Sequence, residues 1–414
     1  MSEALQTPII VIAPDSFKGS LYATSVAEAV ATGIFRALPQ AAVRVCPMAD
    51  GGEGTLDAMP RAVGARKNVF VRGANGRDKP VDIGIMVSGD AIIETAHIVG
   101  ITDPVTMSLA VEDRNTYGVG QLIRACLDLG VRRIFVALGG TSTNDGGAGM
   151  LAALGARIVD AQGHELTPVL GALSKTAHVD ISGLDERLRD TTIIGLSDVE
   201  YPLTGEYGAT SEFGPQKSVD SRVAEHDRTL TCFADAIEAA FGYSKRNEWG
   251  AGAAGGLGFA LLMIGARLES GAEAVARETG LVKPLDGADW LITGEGRSDR
   301  QTLSGKAPFV CCKYAQRFGV PTTLLSGSID LDALPELSVH FSGCVSPAHG
   351  PMTLEDAVRG ASGLLTHAAE QLARLRYCSH VEAGFSTEVS SSVRQMHGTC
   401  CDGHASSRGV PLAK

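Results

Sequence analysis

The residues able to do chemistry fall in short polar stretches that each follow an apolar run. Asp15, Ser16 and Lys18 lie in "PDSFKGS" after "IIVIA" (9–13), and Asp50, Gly51, Gly52 and Glu53 lie in "MADGGEG" after "AAVRVCP" (41–47). "RRIFVAL" (132–138) runs into "GGTSTNDGGAG" (139–149), and "TTIIGLSD" ends on Asp198. "ADWLITG" (288–294) leads into "GEGRSDRQTLSGK", which carries Glu295, Asp299 and Lys306. The glycines of 139–149 let backbone N–H groups turn toward one point, a nest for an anion at a helix start. Gly140 and Gly146 would supply backbone, Thr141, Ser142 and Thr143 hydroxyl donors, and Asn144 a bond to a phosphate oxygen or a ligand hydroxyl. Asp145 would orient a metal or accept a proton. No Lys-Ser or Lys-Thr pair closes the stretch, so it is not a P-loop.

Each stretch has a plainer reading. Asp15 and Ser16 suit a turn, with Lys18 a solvated charge. Asp50 and Glu53 suit the positive end of a helix, Glu295, Asp299 and Lys306 an ordinary ion pair, and 139–149 a glycine-rich packing turn. Asp198 differs, because an acid at the end of a buried strand needs a partner or a metal. "GAGAAG" (250–255) matches the dinucleotide fingerprint, but the polar "FGYSKRNEW" before it is no strand, which argues against a nicotinamide cofactor.

The elements that must position these residues read as α/β. The apolar runs at 9–13 and 41–47, with "PTTLLSGS" (321–328), 288–294 and 338–346 near the other end, make five buried parallel strands. Ser25 and Glu28 have capping-box spacing, and Val26, Val30, Ile34 and Leu38 recur at helical spacing. Further helices are expected near 55–63, at 306–318 and at 353–375. Between them lie strands at 81–87, 91–95, 132–138 and 191–197 and helices at 116–129, 227–241 and 255–268. The expectation is a flavodoxin-like parallel-sheet domain (1–70 plus 285–376) with a second α/β domain inserted (71–284) and an active-site cleft between them. In such sheets ligands bind beyond the carboxyl ends of the strands, where the polar stretches pile up. From about 377 to 414 the chain is Ser-, Gly-, His- and Cys-rich without a period and reads as a disordered extension; "HGTCCDGH" inside it is a weak metal motif.

A net charge of −11 argues against a nucleic-acid surface. The nine cysteines form no CxxC pair or regular framework, and no apolar run reaches membrane-spanning length. A reduced, cytoplasmic protein is expected, with a homo-oligomer left open.

With these motifs laid out, the chain resembles the bacterial glycerate kinase family typified by the enzymes of glucarate and glyoxylate catabolism. The resemblance rests on "IAPDSFKGSL" (12–21), "PMADGGEGT" (47–55), "GGTSTNDGGAGM" (139–150), "DVEYPLTG" (198–205), "FGPQK" (213–217), "GAGAAGGLG" (250–258) and "ITGEGRSDRQTLSGKAP" (292–308), and covers roughly 8–376. It implies ATP-dependent phosphorylation of D-glycerate with Mg²⁺, an alcohol group being the acceptor, and 2-phosphoglycerate favoured over 3-phosphoglycerate. On this reading Ser16, Lys18 and the backbone of Asp50, Gly51 and Gly52 hold anionic groups, and 139–149 cradles phosphates. Asp198, Glu295 and Asp299 are candidate Mg²⁺ ligands, and either Asp145 or Asp198 is the base. Ser197 and Tyr201 depart from the family's Cys and Asn. The rival readings are a kinase for another small hydroxy acid and a non-catalytic two-lobed metabolite-binding protein.

Overall fold

The computed structural model describes residues 7–60, 62–217 and 222–378. Strands Ile9–Ile12, Ala42–Val45, Trp290–Thr293, Thr322–Leu325 and Gly343–Val345 form one all-parallel sheet. Numbered one to five along the chain, they lie side by side as two, one, three, four, five. That is the flavodoxin-type order, whose switch point falls between Ile9–Ile12 and Trp290–Thr293. Ile10, Val11 and Ile12 have no exposed surface, as a strand covered on both faces requires.

One face is covered by helices Ala23–Ala37 and Leu354–Tyr377, through Val26, Val30 and Ile34 against Leu365, Ala369 and Ala373. Burying a branched aliphatic side chain of this kind contributes roughly 1.5–3 kcal/mol. The first helix begins at Ala23, so Ser25 lies inside it, and no side chain caps its start. Its stability comes from this apolar stripe and not from the capping box its sequence suggests.

The second sheet is mixed. Arg267–Glu269, Thr192–Leu196, Arg133–Ala137 and Ala91–Glu94 run parallel, and Asp78–Met86 and Val63–Arg72 extend it antiparallel. Val63–Arg72 belongs to this sheet throughout, so a boundary at residue 70 would cut through a strand. Its residues are mostly exposed, an edge strand without the apolar alternation that would announce it. Two other expectations need correction. The helix near 55–63 is only Thr55–Ala58, and 338–346 divides into the end of helix Leu334–His340 and the short strand Gly343–Val345. The small-residue segment around 250–258 follows no strand, but it is not a plain helix start either: within Ala253–Met263 the residues Ala254, Gly255 and Gly256 have left-handed backbone, with φ of +54°, +66° and +90°, and regular helix begins only after them. No described helix is long and apolar enough to cross a membrane. Residues 379–414, including "HGTCCDGH", lie outside the described residues.

The two sheets share one apolar layer, in which Val11, Leu291 and Val310 meet Ile92, Phe135 and Ile194, with Ala272 and Val275 of helix Gly271–Thr279 between them. Beside it the loop after Ala42–Val45 presses onto the carboxyl ends of the second sheet. Gly139 N–H donates to the Gly51 carbonyl at 3.0 Å. Gly51 has φ +82°, and a Cβ built on Gly139 would stand 2.7 Å from Gly52 Cα. The joint is therefore backbone on backbone, which only glycine permits.

Gly139→Ala tests that contact. No rotamer can relieve a clash with a backbone carbon, so the strand end must separate from the 50–54 loop. We expect a loss of roughly 1–3 kcal/mol in denaturant unfolding; an unchanged midpoint would show that the joint yields freely.

Candidate active site

At the switch point Asp15 N–H donates to the Gly294 carbonyl at 2.8 Å, so the loops that carry Asp15 and Glu295 leave the sheet side by side. Asp15 is 4% exposed and its carboxyl oxygen accepts from Ser16 N–H at 2.6 Å. Burial, reinforced by the neighbouring Asp50, holds its pKa well above the ordinary value. Across the gap Lys18 Nζ pairs with Asp50 Oδ2 at 3.0 Å, while Asp50 Oδ1 accepts from Gly52 N–H at 3.0 Å. Burial alone would raise Asp50, but Lys18 and the Gly52 N–H hold it below the usual range. In return Asp50, followed by Asp15, holds the Lys18 pKa up. The Lys18 side chain is two-thirds exposed (66%), so this pair is solvated on one side and its shift is no measure of stability.

Glu295 is buried, and its Oε1 accepts from Ser298 Oγ at 3.1 Å and Thr302 Oγ1 at 2.7 Å. Lys306 Nζ lies 3.5 Å from Glu295 Oε2 and 3.9 Å from Asp299 Oδ1, which also accepts from Gln301 N–H at the start of the turn Arg300–Ser304. Burial raises the Glu295 pKa and Lys306 draws it down. Asp50 influences the titration of both Asp15 and Glu295, and Lys306 that of Asp50, so these loops meet in one electrostatic neighbourhood.

The second sheet supplies the opposite wall. Asp198 leaves strand Thr192–Leu196 and its Oδ1 accepts from Gly271 N–H at 2.9 Å, at the start of helix Gly271–Thr279. Its Oδ2 is buried without a hydrogen-bond partner. Burial first, and the charge on Asp50 after it, push its pKa up to about 7, against the pull of the Ser270 side chain and the N–H groups of Gly271 and Ala272 at the helix start. Lys18, Asp50, Gly139, Gly140, Thr141 and Asp198 line one cleft of about 190 Å³. Ser197 and Lys217 line it too, and Tyr201 stands behind the wall, its ring edge-on to that of Phe213 at 5.5 Å.

The 139–149 segment does two jobs. Gly139 to Thr141 face the cleft, whereas Ser142 to Gly149 are sealed inside the second sheet's core region. Asp145 has no exposed surface. Its Oδ1 accepts from Gly147 N–H at 3.1 Å, and its Oδ2 from Thr116 N–H at 2.8 Å, Thr116 Oγ1 at 2.9 Å and Gly149 N–H at 3.1 Å. The nest exists, but the anion it holds is the protein's own carboxylate. Burial raises the Asp145 pKa and these donors offset part of the rise. Asp145 is thus not placed as a base, and Gly146 does not cradle phosphate: its N–H donates to the Gly255 carbonyl at 2.9 Å. Asn144 Nδ2 donates to Thr210 Oγ1 at 3.0 Å, and Thr143, fully buried, accepts at its carbonyl from Lys217 Nζ at 2.6 Å.

Several residues here escape the sequence analysis. Glu94, with no exposed surface, accepts from Gly54 N–H at 3.2 Å and from Leu56 N–H, and lies 3.1 Å from His97 Nε2. It clamps the loop that carries Asp50, while Glu53 accepts from Thr102 Oγ1 at 3.1 Å on the loop's outer side. Lys217, 4% exposed, has its pKa lowered to about 7 by burial, against the pull of Asp145. Arg114 is 1% exposed and spends its guanidinium on the carbonyls of Met107, Leu109, Ser142 and Lys217. "FGPQK" was the signal for Lys217; nothing local marks Glu94 or Arg114.

The donor set decides how Mg²⁺ would fit. Glu295 Oε1 is already occupied by two hydroxyls, Asp299 caps a turn, and among the described residues no three acidic, His or Cys side chains converge on a metal position. The expected trio Asp198, Glu295 and Asp299 is therefore not a metal cage. The orphaned Asp198 Oδ2 fits the other habit of Mg²⁺, one or two carboxylates completed by phosphate oxygens and water.

Asp145→Asn separates structure from chemistry. An amide offers hydrogens to N–H groups that need acceptors, so unfolding should cost less by roughly 1–3 kcal/mol for each unsatisfied group. The fraction that folds should retain turnover; a variant as stable as the parent but inactive would return Asp145 to the chemistry.

Comparison with known proteins agrees with this geometry. The model of the glycerate kinase family matches residues 10–377. The chain is 40% identical to the glycerate kinase of Bacillus subtilis (strain 168) over 373 residues, 88% of this chain and 96% of that protein. It is 38% identical to the glycerate 2-kinase of Escherichia coli (strain K12), over 88% and 97% of the two chains. A crystal structure named for a glycerate kinase 2 of Salmonella typhimurium LT2 superposes with a TM-score of 0.75 at 39% identity, covering 89% of this chain and 98% of that one. The chain belongs to the glycerate kinase family, and it is an enzyme that uses ATP to phosphorylate glycerate.

Proposed function

We propose that this enzyme transfers the γ-phosphoryl group of ATP to the 2-hydroxyl of D-glycerate, releasing ADP and 2-phosphoglycerate. The observation that carries the reading is the Asp198 carboxylate: one oxygen pinned by Gly271 N–H, the other buried, unpartnered and on the cleft wall facing the Lys18–Asp50 pair. Phosphoryl transfer asks for positioning and charge neutralisation. Asp198 Oδ2 accepts the proton of the attacking hydroxyl as its oxygen bonds to the γ-phosphorus and the bond to ADP breaks. Ser16, Lys18 and Lys306 steady the phosphate oxygens, and the backbone of Gly139–Thr141 holds the glycerate carboxylate. The 2-kinase name of the Escherichia coli relative supports the choice of hydroxyl. Mg²⁺ would come in on the phosphate oxygens with water completing its shell, leaving Asp198 Oδ2 to the proton, and would neutralise charge across the phosphates.

A base with a pKa of about 7 gives a rate with a definite pH dependence. Turnover should rise through neutral pH as Asp198 ionises and level off above it. Asp198→Asn should abolish that limb and lower kcat by roughly 10²–10⁴-fold. Stability should move the other way. The folded carboxyl keeps a proton between the ordinary value of 3.8 and about 7, so wild-type stability falls as pH rises through that window. The Asn variant lacks this fall and should be more stable at pH 8, by at most about 4 kcal/mol. ³¹P NMR of the product from ATP and D-glycerate identifies the hydroxyl; a 3-phosphate, or near-normal turnover by Asp198→Asn, would overturn the assignment.

A further inference from the structure

Lys18 is the common wall of two unequal spaces. On its inner side lies the cleft of about 190 Å³ shared with Asp50 and Asp198. On its outer side a larger cavity of about 540 Å³ opens between the loops leaving the first, third and fourth strands of the parallel sheet and the first turns of helix Leu354–Tyr377. Their chemistry differs as much as their size. The inner cleft is walled by carboxylates, lysine and glycine backbone. The outer cavity is lined mainly by apolar side chains, Phe17, Met352, Val358, Ala361, Leu364 and Leu365 among them, with Lys18, Arg297, Asp299 and Lys306 as its charged members.

A three-carbon acid has nothing to place against so much aliphatic surface. A nucleotide does: a flat heteroaromatic base buries well among aliphatic side chains, and its phosphates need cations at one end only. A space of this size lies within the range of roughly 300–1,000 Å³ typical of cofactor-sized ligands, which the inner cleft falls short of. Gly327 N–H donates to the Glu295 carbonyl and Ser328 N–H to the Gly296 carbonyl, both at 3.0 Å, so two glycine-bearing loops pair backbone to backbone in its wall. A Cβ on Gly327 would stand 2.6 Å from the Gly296 carbonyl oxygen and 3.4 Å from the Phe17 ring. Ser20 Oγ reaches the Val358 carbonyl at 3.2 Å and ties the loop that carries Lys18 to the helix on the other side. Val358 (38% exposed) and Met352 (39% exposed) present apolar surface that no described residue covers.

We propose that the outer cavity seats the purine nucleoside of ATP, with the phosphates running inward over Lys306 and Lys18, and that the inner cleft seats glycerate. This rests on the phosphoryl-transfer reading above and gives each substrate a separate compartment. The γ-phosphate then meets the acceptor hydroxyl at Lys18, the one lysine among the described residues that lines both spaces.

Val358→Trp fills the outer cavity from a half-exposed helix position and leaves the inner cleft untouched. The expected result is a KM for ATP raised at least tenfold, a KM for glycerate within about twofold of wild type, and weaker calorimetric binding of a non-hydrolysable ATP analogue. Photolabelling of the unaltered protein with 8-azido-ATP should tag the segment 347–365, and this arm stands whether or not the variant folds. An unchanged KM for ATP in a folded variant, or a label on 139–141 or 198–217, overturns the assignment. Nucleotide binding and labelling at 347–365 without any phosphoglycerate formed would instead uphold the pocket and sink the reaction.

Discussion

Asp50 sets the constraint on which the rest of this site depends. It stands in a loop clamped from behind by Glu94 and pressed by its glycines onto the second sheet, and it feels charge from both sides of the gap. Asp15 and Glu295 approach it from the first sheet and Asp198 from the second, and Lys18 and Lys306 answer them. Burial first, and the like charge of Asp50 after it, raise the pKa values of Asp15, Asp198 and Glu295. Asp50 stays ionised because Lys18 is bonded to it. The proposed base gains its proton affinity first from burial and then from the same neighbour, so the Lys18–Asp50 pair supplies part of the cationic wall for phosphate and part of the basicity of Asp198.

That balance also bears on the cation. With Asp15, Asp50, Asp198 and Glu295 gathered around Lys18 and Lys306, the site offers little surplus positive charge for the tail of ATP, and the chain as a whole carries −11. A divalent ion that arrives with the nucleotide meets this deficit better than one held permanently by protein ligands. It agrees with a site in which no three donor side chains form a cage among the described residues. Phosphate oxygens and water supply most of the shell of such an ion, so the protein need not.

The parts of this arrangement legible in the sequence were those with a local cause. Continuous apolar runs located the buried strands, and the polar residues after them marked one edge of the sheet, because a parallel strand must be apolar while its exit loop is free to vary. The strand Val63–Arg72 was not legible, since it sits at a sheet edge with most residues in solvent and carries no burial pattern. The division of 139–149 was hidden for another reason. Its composition reads as an anion nest, and it is one, but the occupant comes from within the segment and its further donor from Thr116, a distant residue in the chain. Lys217 and Arg114 are likewise anchored on carbonyls far away in sequence. Composition reveals that a backbone can hold an anion, whereas only the fold reveals which anion it holds.

Filling the nest from inside has a consequence for how rigid the cleft is. Asp145 ties Thr116 at the start of helix Tyr117–Asp128 to the start of helix Ala148–Ala153, and Thr116 Oγ1 passes the bond on by accepting from Met150 N–H at 2.9 Å. Lys217 then fastens the segment at Thr143, and Arg114 at Ser142. Hydrogen bonds to charged groups in such surroundings contribute more than neutral ones, roughly 1.5–3 kcal/mol each. The buried half of 139–149 is thereby a fixed post, and Gly139 to Thr141 project from it into the cleft. A backbone surface meant to hold an anionic group gains little from mobility, because each N–H that must be reoriented on binding detracts from affinity. The glycines at the tip bring the backbone close to the 50–54 loop, and the charged anchors behind keep it there.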